Sequence, residues 1–440
     1  MTHISQDEKG KVTVHEDKRH TFQDGDYVKF IEVEGMTEIN NRDPIEIEVT
    51  GSTTFNLKLD TRDLGAYTGQ GVVEDTKVAK KVAYSSLAES IEDPAAATPY
   101  GFLEPLNMSH FGLQRSEQLH LAFYATMKFH DKKQRYPDAG DVAAVKELAT
   151  EINAAWKAAD KPCLEEIDDK VIEKVASYAK CSLSPMAAFF GGIVAQEIVK
   201  FTGKYTPLKQ WMHYDIFEAM PEGEVNREPT GGRYDDQIRV FGREVQEKLG
   251  NVKTFMVGAG ALGCELAKAF ALMGVGCGPE GKITVTDNDN IEVSNLNRQF
   301  LFRKNNVGKP KSETACMIAQ SMNSDLKINP LTEFVMPDTE NIFTDEFWDG
   351  LDFIVNAVDN IKARLYIDKK CAWHLKPLLE SGTLGTKANS QMVVPNVTQC
   401  YGDSTDPPEK DIPLCTLRSF PTLIDHCIEW GRDRFETLFA

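Results

Sequence analysis

Two stretches of this 440-residue chain carry residue types at spacings that could do chemistry. The first is IPLCTLRSFP, residues 412–421. Cys415 stands between Pro413 and Pro421, which neither a long helix nor a central strand accommodates. Thr416 and Arg418 accompany it. Core residue, metal ligand and nucleophile are the three readings open to such a thiol. A free thiol is mostly protonated at neutral pH, and a cation two residues on, Arg418, favours the reactive thiolate. His426 invites a Cys–His protease reading, which fails for want of a third residue to orient the histidine.

The second stretch is KTFMVGAGALGCELAKAFALMGVG, residues 253–276. An apolar strand runs into Gly258-x-Gly260-x-x-Gly263, and an amphipathic helix follows. Glycines let the backbone turn and approach a phosphate, and the helix start adds free N–H groups and a favourable dipole. The strand before and the helix after raise the motif above chance. The next strand, KITVTDNDN (282–290), ends near Asp287, where an acid hydrogen-bonds ribose in Rossmann-like sites. Asp289 reads more as a solvated turn acid. To this point an NAD-dependent dehydrogenase fits equally well.

SNLNRQFLFRKNNVGKPKS (294–312) separates the two. It brings Arg298, Gln299, Arg303, Lys309 and Lys311 close behind the ribose acid. Hydride transfer has no use for several cations there, whereas splitting a triphosphate does, because charge builds on the phosphates. Arg303, Lys304 and Lys309 taken singly read as a solvated loop. LDFIVNAVDN (351–360) is a buried strand followed by Asp359. Carboxyl ends of such strands face the ligand crevice, and an acid there suits Mg²⁺, which takes one or two carboxylates plus phosphate oxygens.

The elements that position these residues need several domains at this length. A net charge of −18 argues against a nucleic-acid binder, which needs a basic face, and suits a basic protein partner. The start, MTHISQDEKGKVTVHED, lacks a signal peptide's apolar core. The longest apolar run, MAAFFGGIVA (186–195), is about half of a membrane span. Nine cysteines without a CxxC pair read as reduced thiols in the cytosol or nucleus rather than a zinc site.

Residues 1–95 alternate like strands in DYVKFIEV (26–33) and IEIEVTGSTTFNLKL (45–59), predicting a small β-barrel or sandwich. TPYGFLEP (98–105) reads as a linker. EQLHLAFYATMKF, DVAAVKELATEINAAWKAA and LEEIDDKVIEKVASYAK, within 116–180, have helical period and predict a bundle. SPMAAFFGGIVAQEIVKFTG (184–203) is a separate helix, with Ser184 as N-cap and Pro185 at the first position. Its Gly191-Gly192 pair allows close helix contact, and an ordinary buried helix serves equally well. MPEGEVNREPTGG (220–232) is a linker.

VGAGALGCE, TDNDNIEVSNLNRQFLF, NAVDN, KPLLESGTLGTK and DPPEKDIPLCTLRSFP, in this order and spacing, closely resemble the ubiquitin-activating enzymes. The resemblance implies a multidomain α/β protein. Its Rossmann-like adenylation domain, of the ThiF/MoeB type, is preceded by a small β-barrel domain and a helical bundle. The implied divisions are 1–95, the first catalytic-cysteine half-domain; 96–182, the four-helix bundle; and 183–222, the end of an inactive adenylation half. Residues 233–398 become an incomplete active adenylation domain, and 399–440 the start of the second catalytic-cysteine half-domain.

The implied reaction uses ATP and Mg²⁺ to adenylate the C-terminal carboxylate of ubiquitin, forms a thioester on Cys415, and hands ubiquitin to a conjugating enzyme. By motif position, Gly258, Gly260, Ala261 and Gly263 line the nucleotide loop and Asp287 binds ribose. Asn295, Arg298, Gln299 and Lys311 handle the phosphates. Asp359 ligates Mg²⁺ beside Asn360, and Thr416 and Arg418 flank the nucleophile. A monomer of cytoplasm and nucleus follows, with no nucleic-acid or membrane partner. The resemblance covers only a central part of such enzymes. An arginine that reaches the ATP site and the domain that recruits conjugating enzymes have no counterpart here, so weak activity alone is expected. The alternatives are an activating enzyme for another ubiquitin-like modifier, a non-catalytic ubiquitin-binding fragment and a redox Rossmann enzyme.

Overall fold

The structure is a computed structural model. It describes residues 1–15, 20, 22–40, 42–79, 81–96, 115–202, 205–384, 387–404, 424, 427–428, 430–431 and 434–435. They fall into two compact units, Met1–Ser85 with Thr202–Lys209, and Ser86–Phe201 with Gln210–Ala440.

The first unit is a curled antiparallel sheet of six strands. They are β1 (His3–Ile4), β2 (Lys11–Thr13), β3 (Tyr27–Ile31), β4 (Ile45–Gly51), β5 (Thr54–Leu57) and β6 (Val72–Asp75), in the order β1-β2-β5-β4-β3-β6. Period-2 alternation puts Val28 and Phe30 of β3 inside and Lys29 outside. Ile47 of β4 and Phe55 and Leu57 of β5 meet them in one core. Each such side chain contributes about 1.5–3 kcal/mol on burial. A register shift between Val49 and Gly51 bends the β4–β5 hairpin, as a bulge does.

In the second unit, three long helices share one core among the described residues: α1 (Arg115–Lys133), α2 (Val142–Ala158) and α3 (Asp169–Ser177). Leu119, Ala122, Ala125 and Phe129 make the inner stripe of α1. They meet Val145, Leu148 and Trp156 of α2 and Val171, Ile172 and Val175 of α3. The third helix is shorter than its periodicity predicts, because the Asp168 carboxylate accepts from the Lys170 amide at 2.9 Å and starts it there. Segment 210–219, which ends in a 3₁₀ turn at Phe217–Ala219, crosses the bundle. Arg115 binds Asp215 through two bonds, Nε to Oδ2 at 2.9 Å and Nη2 to Oδ1 at 3.0 Å. His120 Nδ1 lies 3.0 Å from His213 Nε2.

The apolar helix α4 (Ser184–Lys200) corrects two expectations. Ser184 is its first residue and Leu183 its cap, without a side-chain bond. None of its residues is buried, and Val194, Ile198 and Val199 stand more than half exposed. A Cβ at Gly191 or Gly192 would meet nothing within 4 Å. The helix is apolar by sequence yet uncovered among the described residues, so the buried-helix reading fails.

The remaining elements form a three-layer α/β domain. After α5 (Asp235–Phe241) and α6 (Arg243–Asn251) come β7 (Lys253–Val257), α7 (Ala261–Met273) and β8 (Lys282–Thr286). They are followed by α8 (Lys311–Met322), β9 (Ile328–Leu331), α9 (Asp345–Asp349), β10 (Phe353–Asn356) and α10 (Ile361–Trp373). The chain closes the sheet with β11 (Leu378–Leu384) and β12 (Lys387–Val393). The order is β12-β11-β10-β7-β8-β9, parallel except for edge strand β12. Apolar runs such as TFMV in β7 suit strands covered on both faces. Met256 and Val285 face α7 and α8, whereas Phe255 and Ile354 face Trp348 of α9 and Ile367 of α10. The chain leaves β7 toward β8 on one side and returns to β10 on the other. Their carboxyl ends therefore flank the crevice where such sheets take ligands. No described helix is long and apolar enough to cross a membrane.

Candidate active site

The glycine-rich turn between β7 and α7 is dictated sterically. Gly258 has φ +100°, and a Cβ there would lie 2.4 Å from the carbonyl oxygen of Ala357. A Cβ at Gly263 would lie 2.3 Å from the carbonyl oxygen of Gly258, so α7 can pack on the turn only if that position is bare. Gly260 differs. It caps α7 with no side-chain bond, and the nearest atom to a Cβ there is Gln299 Nε2 at 3.9 Å. With no side chain of its own and only Gln299 Nε2 nearby, this glycine leaves the first helical amides, beginning at Ala261, uncapped, where an anion fits.

The two acids after β8 have different work. Asp287 is half-buried, and each of its oxygens accepts one backbone amide: Oδ2 from Ala259 at 2.7 Å and Oδ1 from Asp289 at 2.9 Å. Burial raises its pKa, and these two amides oppose the rise. Asp289, by contrast, keeps an exposed carboxylate. Its Oδ2 accepts from Lys311 Nζ at 2.7 Å; the lysine side chain is 9% exposed and the aspartate 60%. The Lys311 amide also donates to the Asp289 carbonyl at 2.9 Å. Lys311 is thus a buried cation at the head of α8, held by an acid at the surface. Reading Asp289 as a solvated turn acid missed this pair.

The segment between carries Asn295, Arg298 and Gln299. Asn295 is buried and accepts from the Glu292 amide at 2.9 Å, shaping the turn. Arg298 is exposed and makes local bonds to Ser294 O at 3.1 Å and Asn297 Oδ1 at 3.2 Å. Gln299 is buried with Oε1 unpaired among the described residues, beside open Gly260. Arg303 spends its guanidinium on the carbonyls of Phe300 and Phe302. Across the crevice, Asn360 caps α10, its Oδ1 accepting from the Ala363 amide at 2.8 Å. Asp359 precedes it, exposed, and its carboxylate has no ion pair or hydrogen bond to a described residue.

The geometry joins Gly258 to Ala357, Ala259 to Asp287, Asp289 to Lys311 and Gln299 to Gly260. Arg298 stays with its own turn. Cys415, Thr416, Arg418 and His426 lie outside the described residues. Burial pushes the thiol of Cys264 up to about 11 and that of Cys316 up to about 12, and it raises Cys371 as well, so these are inert packing thiols. Sequence reasoning gave no role to Asn356, Arg364 and Glu380. Arg364 Nη2 donates to Val358 O at 2.9 Å, and Asn356 Nδ2 donates to Glu380 Oε2 at 2.7 Å. A polar residue inside each of the apolar strands FIVN and LLES was the available signal.

The uncapped first amides of α7 at Gly260 and the Lys311 cation fit the phosphates of a nucleoside triphosphate, and the unpaired Gln299 oxygen suits a hydroxyl or amino donor. The exposed Asp359 carboxylate, a hard oxygen donor, fits Mg²⁺.

Residues 7–77 match the family model for the ubiquitin-activating enzyme E1 FCCH domain, and residues 78–153 that for the ubiquitin-activating enzyme E1 four-helix bundle. Residues 234–428 match the ThiF family. The chain is 45% identical to the Candida albicans protein named ubiquitin-activating enzyme E1 1, across 98% of this chain and 42% of that one. It is 44% identical to ubiquitin-like modifier-activating enzyme 1 of Oryctolagus cuniculus, across 99% of this chain and 41% of that one. It is 47% identical to ubiquitin-activating enzyme E1 2 of Triticum aestivum, again across 99% and 41%. The chain spans about two fifths of the length of these curated relatives.

Proposed function

We propose, for a chain that belongs to the ubiquitin-activating enzyme family over the length it spans, that the crevice binds ATP and adenylates the C-terminal carboxylate of ubiquitin. The observation that carries this reading is Lys311, a buried cation near a glycine-rich turn whose middle glycine has only Gln299 Nε2 beside it. A hydride-transfer site has no need of that cation. Amides at the start of α7 would cradle phosphate oxygens. Lys311, with Arg298 swinging from its local bonds, would offset the charge that builds as the carboxylate attacks the α-phosphorus and pyrophosphate leaves. Asn295 and Gln299 would shape and line that pocket, and Asn360 would set the far wall. Asp359 would hold Mg²⁺, which supplies neutralisation of the phosphate charge.

Asp289, not Asp287, is the acid assigned here to the ribose. The Asp289 carboxylate is exposed and uses one oxygen on Lys311, whereas the half-buried Asp287 accepts one amide on each oxygen and would offer a hydroxyl only its remaining lone pairs. From the family resemblance, the Cys415 thiolate would then attack the acyl-adenylate, forming a carbon–sulfur bond and releasing AMP, with Thr416 and Arg418 beside it. The thioester would pass to a conjugating enzyme. The reading carries with it a monomer of the cytoplasm and nucleus, and the five divisions of the chain stated above.

Ubiquitin-dependent ATP–pyrophosphate exchange by the chain and its Asp359→Ala variant tests this. Exchange that disappears in the variant supports adenylation at this crevice. Equal exchange in both refutes the assignment of Asp359. Silence from both, with ubiquitin still bound, refutes catalysis by this chain alone.

A further inference from the structure

Beneath the turn that carries Asp359 lies a buried polar cluster with no counterpart in the nucleotide-loop chemistry. Asn356 is the last residue of β10, and Glu380 is on neighbouring β11; both are buried. Glu380 Oε2 accepts from Asn356 Nδ2 at 2.7 Å, while its Oε1 faces Arg364 Nη1 at 3.4 Å. Arg364, in the first turns of α10, then reaches in two directions with Nη2. It donates to Val358 O at 2.9 Å and to Ser381 O at 3.2 Å. Ser381 Oγ returns to Asn356 O at 3.2 Å. A Cβ at Gly382 would lie 2.7 Å from Arg364 Nη1 and 2.8 Å from Nη2, so β11 is bare where the guanidinium rests.

Stability does not account for this arrangement. The Glu380 side chain is fully buried, and taking a carboxylate and a guanidinium out of water offsets most of their attraction. Apolar side chains of similar volume serve a core as well or better. Two acceptors in the cluster, Asn356 Oδ1 and Glu380 Oε1, have no hydrogen bond among the described residues, which adds to the cost. What a buried fork supplies that an apolar pair cannot is direction. The Val358 carbonyl that Arg364 grips belongs to the peptide group whose nitrogen is that of Asp359. Fixing that plane fixes where the Asp359 side chain starts.

We infer that Arg364 is a positioning residue for Asp359, held by Glu380 and Asn356, and that this clamp sets how tightly the crevice takes a divalent cation with its nucleotide. The inference rests on the reading of the crevice as a Mg·ATP site. It assigns Arg364 no contact with substrate. Loss of such an outer support costs a metal site about 10–100-fold in affinity.

The test is Mg²⁺ titration of ATP binding to the full chain, followed calorimetrically at fixed ATP, for the wild type, Arg364→Lys and Gly382→Ala. Arg364→Lys keeps the charge and loses the fork. Gly382→Ala keeps every charge and displaces the guanidinium; it carries the test if the lysine variant does not fold. The half-saturating Mg²⁺ concentration is expected to rise at least about tenfold in either variant, with ATP affinity restored at saturating Mg²⁺. In an Asp359→Ala background, the same substitutions should shift nothing further. An unchanged Mg²⁺ midpoint overturns the inference and leaves the Mg·ATP reading intact. So does a loss of ATP affinity that no Mg²⁺ concentration restores, which marks Arg364 as a purely structural residue. A wild-type chain whose ATP binding ignores Mg²⁺ overturns the Mg·ATP reading itself, and the inference with it.

Discussion

Substituting Asp287 and Asp289 separately by asparagine should split stability from nucleotide affinity. Asp287 accepts two backbone N–H bonds, at 2.7 and 2.9 Å, one on each oxygen. An asparagine has one acceptor oxygen and an NH₂ group that would face a donor. One amide, that of Ala259 or Asp289, therefore loses its partner. A hydrogen bond to a charged group contributes about 1.5–3 kcal/mol, so Asp287→Asn should destabilise the α/β domain by that amount. For a domain of this size that is a fall in melting temperature of about 3–12 °C. Asp289→Asn keeps an acceptor for Lys311 at an exposed position and should cost about 1 kcal/mol or less. Its charge-assisted bond to a ribose hydroxyl is lost, which should weaken ATP binding about 10–100-fold. Differential scanning fluorimetry and ATP calorimetry on both variants read the two quantities independently. An Asp287→Asn chain with wild-type stability but crippled ATP binding, paired with normal binding by Asp289→Asn, would refute the division of labour.

Two further outcomes follow from single contacts. Gly258→Ala places a Cβ 2.4 Å from the Ala357 carbonyl at a positive φ and should cost about 2–5 kcal/mol in urea unfolding; a loss under 1 kcal/mol would show that the turn relaxes easily. In the bundle, burial and the nearby His120 lower the His213 pKa to about 4, against 6.5 ordinarily. The folded state holds His213 neutral while the unfolded chain binds a proton. Its contribution is therefore complete above pH 6.5 and is lost as pH falls toward 4, at no more than about 1.4 kcal/mol per pH unit. His213→Gln should flatten the pH dependence of bundle unfolding in that window, and an unchanged slope would assign it to other groups.

The sheet and its glycine turn were legible because their signals are local. TFMV and FIVN are apolar runs, and Gly263 answers a contact within the turn itself, although the contact that requires Gly258 to be bare comes from Ala357. Sequence reasoning puts Asp287 on the ribose and leaves Asp289 to solvent, and so misses the Asp289–Lys311 pair. Two acids two residues apart look alike until the fold decides which one meets the Ala259 amide, 28 residues upstream. The Arg364–Glu380 clamp was only half legible: Glu380 within an apolar strand hinted at burial, but Arg364 alone reads as a surface charge. Helix α4 misled in the opposite direction. Its composition predicts burial, but composition cannot say whether a covering surface is at hand.

The two units interleave along the chain, and this bears on how the protein is made. The β unit closes with residues 202–209, where Tyr84 Oη donates to Leu208 O at 2.8 Å. The bundle closes with Asp215, a hundred positions after its partner Arg115. A ribosome that has released residues 1–200 has therefore finished neither. Arg115, 11% exposed in the folded state, waits without its carboxylate until the segment 210–219 emerges. The β unit and the helical bundle become able to close within a window of some twenty residues of translation, and the nascent chain before that window leaves both cores open.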